Sequence, residues 1–119
     1  MSQPRILVVD DEVHVQAVVG DVLAEGGYDV DTVGSAQDAL DAVDRRSYDA
    51  VICDVRLRGC HGQMLAAEMV RRRPRLANRI LLITGESGDL RATLTLPVLA
   101  KPFSLDAILD AIRARLSSP

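Results

Sequence analysis

Acidic residues and one amine stand at the ends of apolar runs in this chain. Ile6-Leu7-Val8-Val9 leads into Asp10-Asp11-Glu12, Ala50-Val51-Ile52-Cys53 into Asp54, and Val98-Leu99-Ala100 into Lys101-Pro102. If these runs are parallel strands, their carboxyl ends open on one crevice, and the side chains that follow them share it. Carboxylates gathered there repel one another, and a cation relieves that repulsion. An all-oxygen donor set suits a hard divalent ion such as Mg2+. Thr84 offers a hydroxyl donor, and Lys101 a point positive charge, for the oxygens of an incoming phosphoryl group. Carboxylates are nucleophiles as well as ligands, so the set suits phosphorylation of Asp54 itself. Part of the cluster has a simpler use, since Asp11 or Glu12 could favour the start of a helix through its dipole.

The elements that must position these residues read as strand and helix in alternation. The first strand spans Arg5–Val9, and a stripe of Val15, Val18, Val19, Val22 and Leu23 marks a helix ended by Gly26-Gly27. Tyr28–Val33 alternates apolar and polar residues, as an edge strand does. Ser35 reads as an N-cap for a helix turning Ala36, Ala39, Leu40 and Val43 inward. A third strand, Asp49–Cys53, and the loop Arg56–His61 precede a helix of about Gln63–Arg73, stopped by Pro74. Arg79–Ile83 is an unbroken apolar run suited to a sheet centre, and Val98–Ala100 is a fifth strand. The last helix starts at a Ser104 N-cap with Leu105, Ile108, Leu109, Ile112 and Leu116 on one side. Gly85–Pro97 holds at most a short or irregular helix, because Thr93, Thr95 and Pro97 disfavour a longer one. Helical crossovers between parallel strands give an α/β three-layer sandwich, whose strand order the pattern alone leaves open.

Composition narrows the function classes. The 119 residues carry a net charge of −3, with 48% hydrophobic residues, which suits a single domain, 1–119, with no bulk nucleic-acid or membrane signature. Tyr28, Tyr48 and Phe103 are the aromatics, and no Trp is present, so base stacking has little to work with. Cys53 and Cys60 lack metal-ligand spacing, Cys53 reads as a small buried hydrophobe, and a cytoplasmic setting fits. Arg71-Arg72-Arg73 and Arg75 complement a helix C-terminus and read as solvated. His14 and His61 stand alone in sequence, which argues against a transition metal. No Gly-rich phosphate loop with Lys-Ser/Thr is present, so ATP is not the expected phosphoryl donor.

End to end, the chain resembles the receiver domain of bacterial two-component response regulators. The matching pieces are Ile6 to Glu12, Asp54-Val55-Arg56-Leu57 with Gly59 and Gly62, Leu82-Ile83-Thr84-Gly85, and Lys101-Pro102-Phe103. The resemblance implies a five-stranded parallel sheet of flavodoxin-like order 2-1-3-4-5. It implies Asp54 as phosphoacceptor, Asp11 and Asp54 as direct Mg2+ ligands, Asp10 acting through water, and the Arg56 carbonyl as a further ligand. Thr84 becomes the switch hydroxyl and Lys101 the phosphate-contacting ammonium. Three departures stand out. Arg58 replaces a common proline, Val98 replaces a common Tyr or Phe, and the stretch from Thr84 to Lys101 is shorter than usual by more than a helical turn. The chemistry is untouched by these changes, but the family's usual signalling face, built on its fourth helix, fifth strand and fifth helix, loses its aromatic reporter.

The expected function is a phosphorelay receiver. A histidine kinase or histidine phosphotransfer protein delivers a phosphoryl group to Asp54, and the modified domain switches a contact with a downstream protein. This is signalling by self-modification rather than turnover of a small substrate. The receiver stands alone or is the terminal receiver of a hybrid sensor kinase, toward which the short segment before Lys101 leans. Two other accounts are open: an interaction module independent of phosphorylation, motivated by Arg58 and Val98, and a metal-dependent phosphatase using Asp54. The phosphatase needs a second acid just after its nucleophile, where this chain has Val55-Arg56.

Overall fold

The computed structural model describes residues 3–85, 96–100 and 104–117. In chain order the elements are β1 (Arg5–Val9), α1 (Val13–Glu25), β2 (Asp29–Val33), α2 (Ala36–Arg45) and β3 (Ala50–Asp54). A small hairpin of β4 (Arg56–Leu57) and β5 (Cys60–His61) follows, then α3 (Gly62–Arg72) and a 3-10 turn, Pro74–Leu76. The chain continues through β6 (Ile80–Thr84), β7 (Val98–Ala100) and α4 (Leu105–Leu116). Lys101 and most of the Gly85–Pro97 segment, where a short helix is expected, lie outside the described residues.

All pairings in the main sheet are parallel, in the order β2-β1-β3-β6-β7. Counting the strands of that sheet alone, this is the expected order 2-1-3-4-5. The order reverses direction between β1 and β3, so a crevice opens at their carboxyl ends. Alternation of side chains across each strand divides the core in two. Leu7, Val9, Val51, Cys53, Ile80 and Leu82 pack with α2 and α3 residues such as Val43, Leu65 and Met69. Ile6, Val8, Ile52, Leu81 and Ile83 pack on the other face with Val19, Leu23, Ile108 and Ile112 of α1 and α4. β3 and β6 are buried along their whole length, as strands covered on both faces must be, whereas β2 is only partly buried at the sheet edge.

Local chemistry sets the helix ends. Ser35 Oγ accepts from the Asp38 N–H, and Ser104 Oγ from the Ala107 N–H, satisfying otherwise orphaned donors. α3 is capped by His61, whose Nδ1 accepts from the Gln63 N–H at 3.1 Å. Val18 departs from the expected apolar stripe of α1: it is 53% exposed, and Val19, Val22 and Leu23 carry the burial. The arginine run is engaged in structural contacts. Arg71 and Arg72 pair with Glu68, Arg72 also reaches Asp44, Arg73 donates to the Val43 and Asp44 carbonyls, and Arg75 pairs with Asp49.

Candidate functional site

Each acidic residue of interest is placed by a strand end. The Asp10 N–H donates to the Val33 carbonyl at 3.1 Å, so the β1–β2 ladder extends one residue beyond β1. Asp54 is the last residue of β3, one residue further along the strand than the sequence pattern suggests, and it pairs with Ile83. Thr84 likewise ends β6 rather than following it. One carboxylate oxygen from each of Asp10, Asp11 and Asp54 lies within 4.8 Å of the other two. Asp10 is fully buried, Asp54 and Thr84 are 7% and 1% exposed, and Asp11 is exposed. A cleft of about 300 Å³ opens over them, lined by Asp11, Glu12, Val15, Asp54, Arg56, Thr84 and Gly85.

Hydrogen bonds to main-chain N–H groups orient the carboxylates. Asp10 Oδ1 accepts from Glu12 at 2.8 Å, Asp54 Oδ1 from Arg56 at 3.1 Å, and Asp11 Oδ2 from Arg58 at 3.1 Å. The last bond uses an N–H that a proline at position 58 would lack. Arg58 and Gly59 form the two-residue turn between β4 and β5, and Gly59 takes the positive φ of +76° that the turn demands. The hairpin then returns Gly62 onto β3: its N–H donates to the Val55 carbonyl at 2.6 Å, and a Cβ there would stand 2.2 Å from the Asp54 carbonyl oxygen. Gly62 is therefore required by close approach.

Sequence reasoning assembled Asp10, Asp11, Asp54, Arg56 and Thr84, and the structure brings all five to this crevice. It did not find the His61 cap or the hairpin strands, which lack a periodic signal. His14 is exposed on the first turn of α1. Cys53, beside Asp54, is fully buried, and burial, with the nearby Asp54 carboxylate, Cys60 and the Asp10 carboxylate, pushes its thiol far above the usual range. It stays a neutral packing group. Among the described residues, no helix is long and apolar enough to cross a membrane.

The response regulator receiver domain model matches residues 6–113, and the chain belongs to that family, a signalling domain of two-component systems. Among curated relatives, the transcriptional regulatory protein TcrA of Mycobacterium tuberculosis is 37% identical over 119 residues, covering 96% of this chain and 46% of TcrA. The chain thus spans about half the length of that relative. Sporulation initiation phosphotransferase F of Bacillus subtilis is 28% identical over 119 residues, covering 98% of this chain and 96% of that protein. Among solved structures, the response regulator TrrA from Thermotoga maritima, in complex with Mg(2+)-BeF, superposes with a TM-score of 0.86 at 30% identity, covering 96% of this chain and all of that one. A CheY-like receiver domain protein from Methanospirillum hungatei gives a TM-score of 0.85 at 23% identity, covering 97% of this chain and 94% of that one, which is a likeness of fold.

Proposed function

We propose that Asp54 accepts a phosphoryl group from the phosphohistidine of a histidine kinase or histidine phosphotransfer protein. Asp11, Asp54 and the main-chain carbonyl of Arg56 would hold Mg2+, and Asp10 would act through water. The observation that carries this reading is the convergence of three carboxylate oxygens within 4.8 Å at the mouth of a cleft that also presents Thr84. The donors are all hard oxygens, and they fit the ion that the chemistry calls for. When bound, the ion offsets carboxylate repulsion and adds positive charge beside the phosphoryl oxygens.

The chain's own residues do the rest. The Arg56 N–H restricts rotation of the Asp54 carboxylate, so the nucleophile is oriented before the donor arrives. As the new P–O bond to Asp54 forms, the P–N bond to the partner's imidazole breaks, and the imidazole keeps the electron pair and takes up a proton. The Thr84 hydroxyl donates to one phosphoryl oxygen, and the Lys101 ammonium contacts another. Water later hydrolyses the acyl phosphate. Residues 1–119 act as one cytoplasmic receiver unit, and the phosphorylated form presents an altered surface to a downstream protein rather than to nucleic acid. The TrrA complex with Mg(2+)-BeF supports this use of the site by kinship.

Amide chemical shifts test the reading. Adding Mg2+ should move the signals of Asp10 to Glu12 and of Asp54 to Arg56, and subsequent beryllofluoride should move Thr84 and Gly85. No Mg2+-dependent shift at either strand end would refute it.

A further inference from the structure

We infer that Gln16 is a positioning residue for the metal-binding turn and that Gly34 exists to admit its amide; the inference deepens the functional reading above and rests on it. Gln16 lies one turn into α1, where its own N–H closes a helical bond to the Glu12 carbonyl at 3.1 Å. Its side chain turns back toward the sheet, and Nε2 donates to the Asp10 carbonyl oxygen at 2.6 Å. That oxygen belongs to the peptide unit joining Asp10 to Asp11. Because the unit is planar, fixing its carbonyl also fixes the direction in which the Asp11 backbone leaves it.

Two further bonds hold the turn at other points. The Asp10 N–H is held by Val33, and Asp10 Oδ1 takes the Glu12 N–H, but both act on the far side of the Asp10 Cα or beyond Asp11. Asp11 itself is exposed, and its carboxylate is met by the Arg58 N–H from the β4–β5 turn. An exposed ligand on a short turn needs its backbone held if it is to meet a metal at a fixed place. Partners behind a ligand commonly govern metal affinity in this way.

Gly34 supplies the independent observation. It follows β2, and a Cβ built there would stand 3.2 Å from Gln16 Nε2 and 3.8 Å from the Asp10 carbonyl oxygen. Any larger residue at 34 would press on this hydrogen bond from the β2 side. The helix, the β1 end and the β2 end thus meet at one amide–carbonyl contact, directly behind the carboxylate pair.

The test titrates Mg2+ alone into the wild type, Q16M, G34A and Q16M/G34A, reading the amide shifts of residues 10–12, with melting of the metal-free proteins alongside. Q16M keeps the length of the side chain and removes the donor, and should bind Mg2+ roughly tenfold more weakly. G34A keeps every polar group and lengthens the contact, and should weaken binding about threefold in the Gln16 background but not in the Q16M background. At saturating Mg2+ both single variants should regain the wild-type rate of labelling by acetyl phosphate. If Q16M fails to fold, G34A against the wild type carries the test. Q16M affinity within about twofold of the wild type, no effect of G34A, or a G34A loss undiminished in the Q16M background would each overturn the inference. A wild type that bound no Mg2+ would bring down the functional reading instead.

Discussion

At Asp11 the fold leaves a carboxylate exposed beside two others that are buried, with an oxygen of each inside the same 4.8 Å cluster. Such crowding is unfavourable without a cation, and neutralising one member relieves it. D11N should therefore raise the melting stability of metal-free protein by roughly 0.5–1 kcal/mol and weaken Mg2+ binding tenfold or more, two effects of opposite sign from one atom. A fall in metal-free stability together with unchanged affinity would remove Asp11 from the site. Gly62 makes a second prediction. Its missing Cβ lies 2.2 Å from the Asp54 carbonyl, against backbone that cannot step aside, so G62A should cost at least about 2 kcal/mol and displace the end of β3. G85A is the comparison, since among the described residues nothing lies within 4 Å of a Cβ there; its melting should change by no more than about 0.5 kcal/mol. Melting curves of the two variants, recorded side by side, distinguish the packing constraint from ordinary loop tolerance.

Among the elements, the tie between β2 and the approach to β3 is a buried phenol. Tyr48 donates to Asp31 Oδ2 at 2.6 Å, and Asp31 in turn faces Arg5 and Arg46. Burial first, then the hydrogen bond to Asp31 and its charge, raise the phenol above its ordinary 10.0, while Arg46 and Arg5 pull the other way. An acid whose pKa rises on folding stabilises the fold in full below its unfolded value and loses that contribution as pH climbs through the folded value. Y48F should accordingly cost about 1 kcal/mol at neutral pH, and the gap between wild type and Y48F should shrink above about pH 10. Melting temperatures of both proteins across that range check the sign. A gap that widened with pH would contradict it.

How far the sequence reached at this scale depends on the kind of signal. Aliphatic runs marked β1 and β7 to the residue: Ile6 to Val9 are buried, and Val98 and Leu99 are partly buried against the two core layers. Asp54 and Thr84 fall inside their strands rather than after them, since the ladder pairs backbone atoms and is indifferent to where the apolar run stops. Ser35 and Ser104 announced their caps by residue type. His61 did not, because an imidazole caps only when its ring happens to be placed to accept. The Gln16–Asp10 contact was out of reach for a similar reason: it joins a helix to a strand end and leaves no trace in periodicity. Val18 shows the limit of the helical stripe, which places a residue at the edge of a face without saying whether a neighbour covers it.

Taken as a molecule, the domain separates its tasks. Two aliphatic layers hold the sheet, the ion pairs of α2 and α3 stay on one flank, and the acidic crevice occupies the carboxyl end of the strands. The 46% coverage of TcrA shows that a receiver of this kind also occurs within a longer regulatory protein, while the 96% coverage of sporulation initiation phosphotransferase F shows one that makes up nearly a whole chain. Whichever setting applies, the central claim concerns one oxygen on one residue. It is tested most directly by the intact mass of wild type and D54N after incubation with Mg2+ and acetyl phosphate. The account predicts one added phosphoryl group on the wild type, absent when Mg2+ is withdrawn, and none on D54N. Equal labelling of D54N, or a phosphoryl group mapped to a serine or threonine of the wild type, would contradict it.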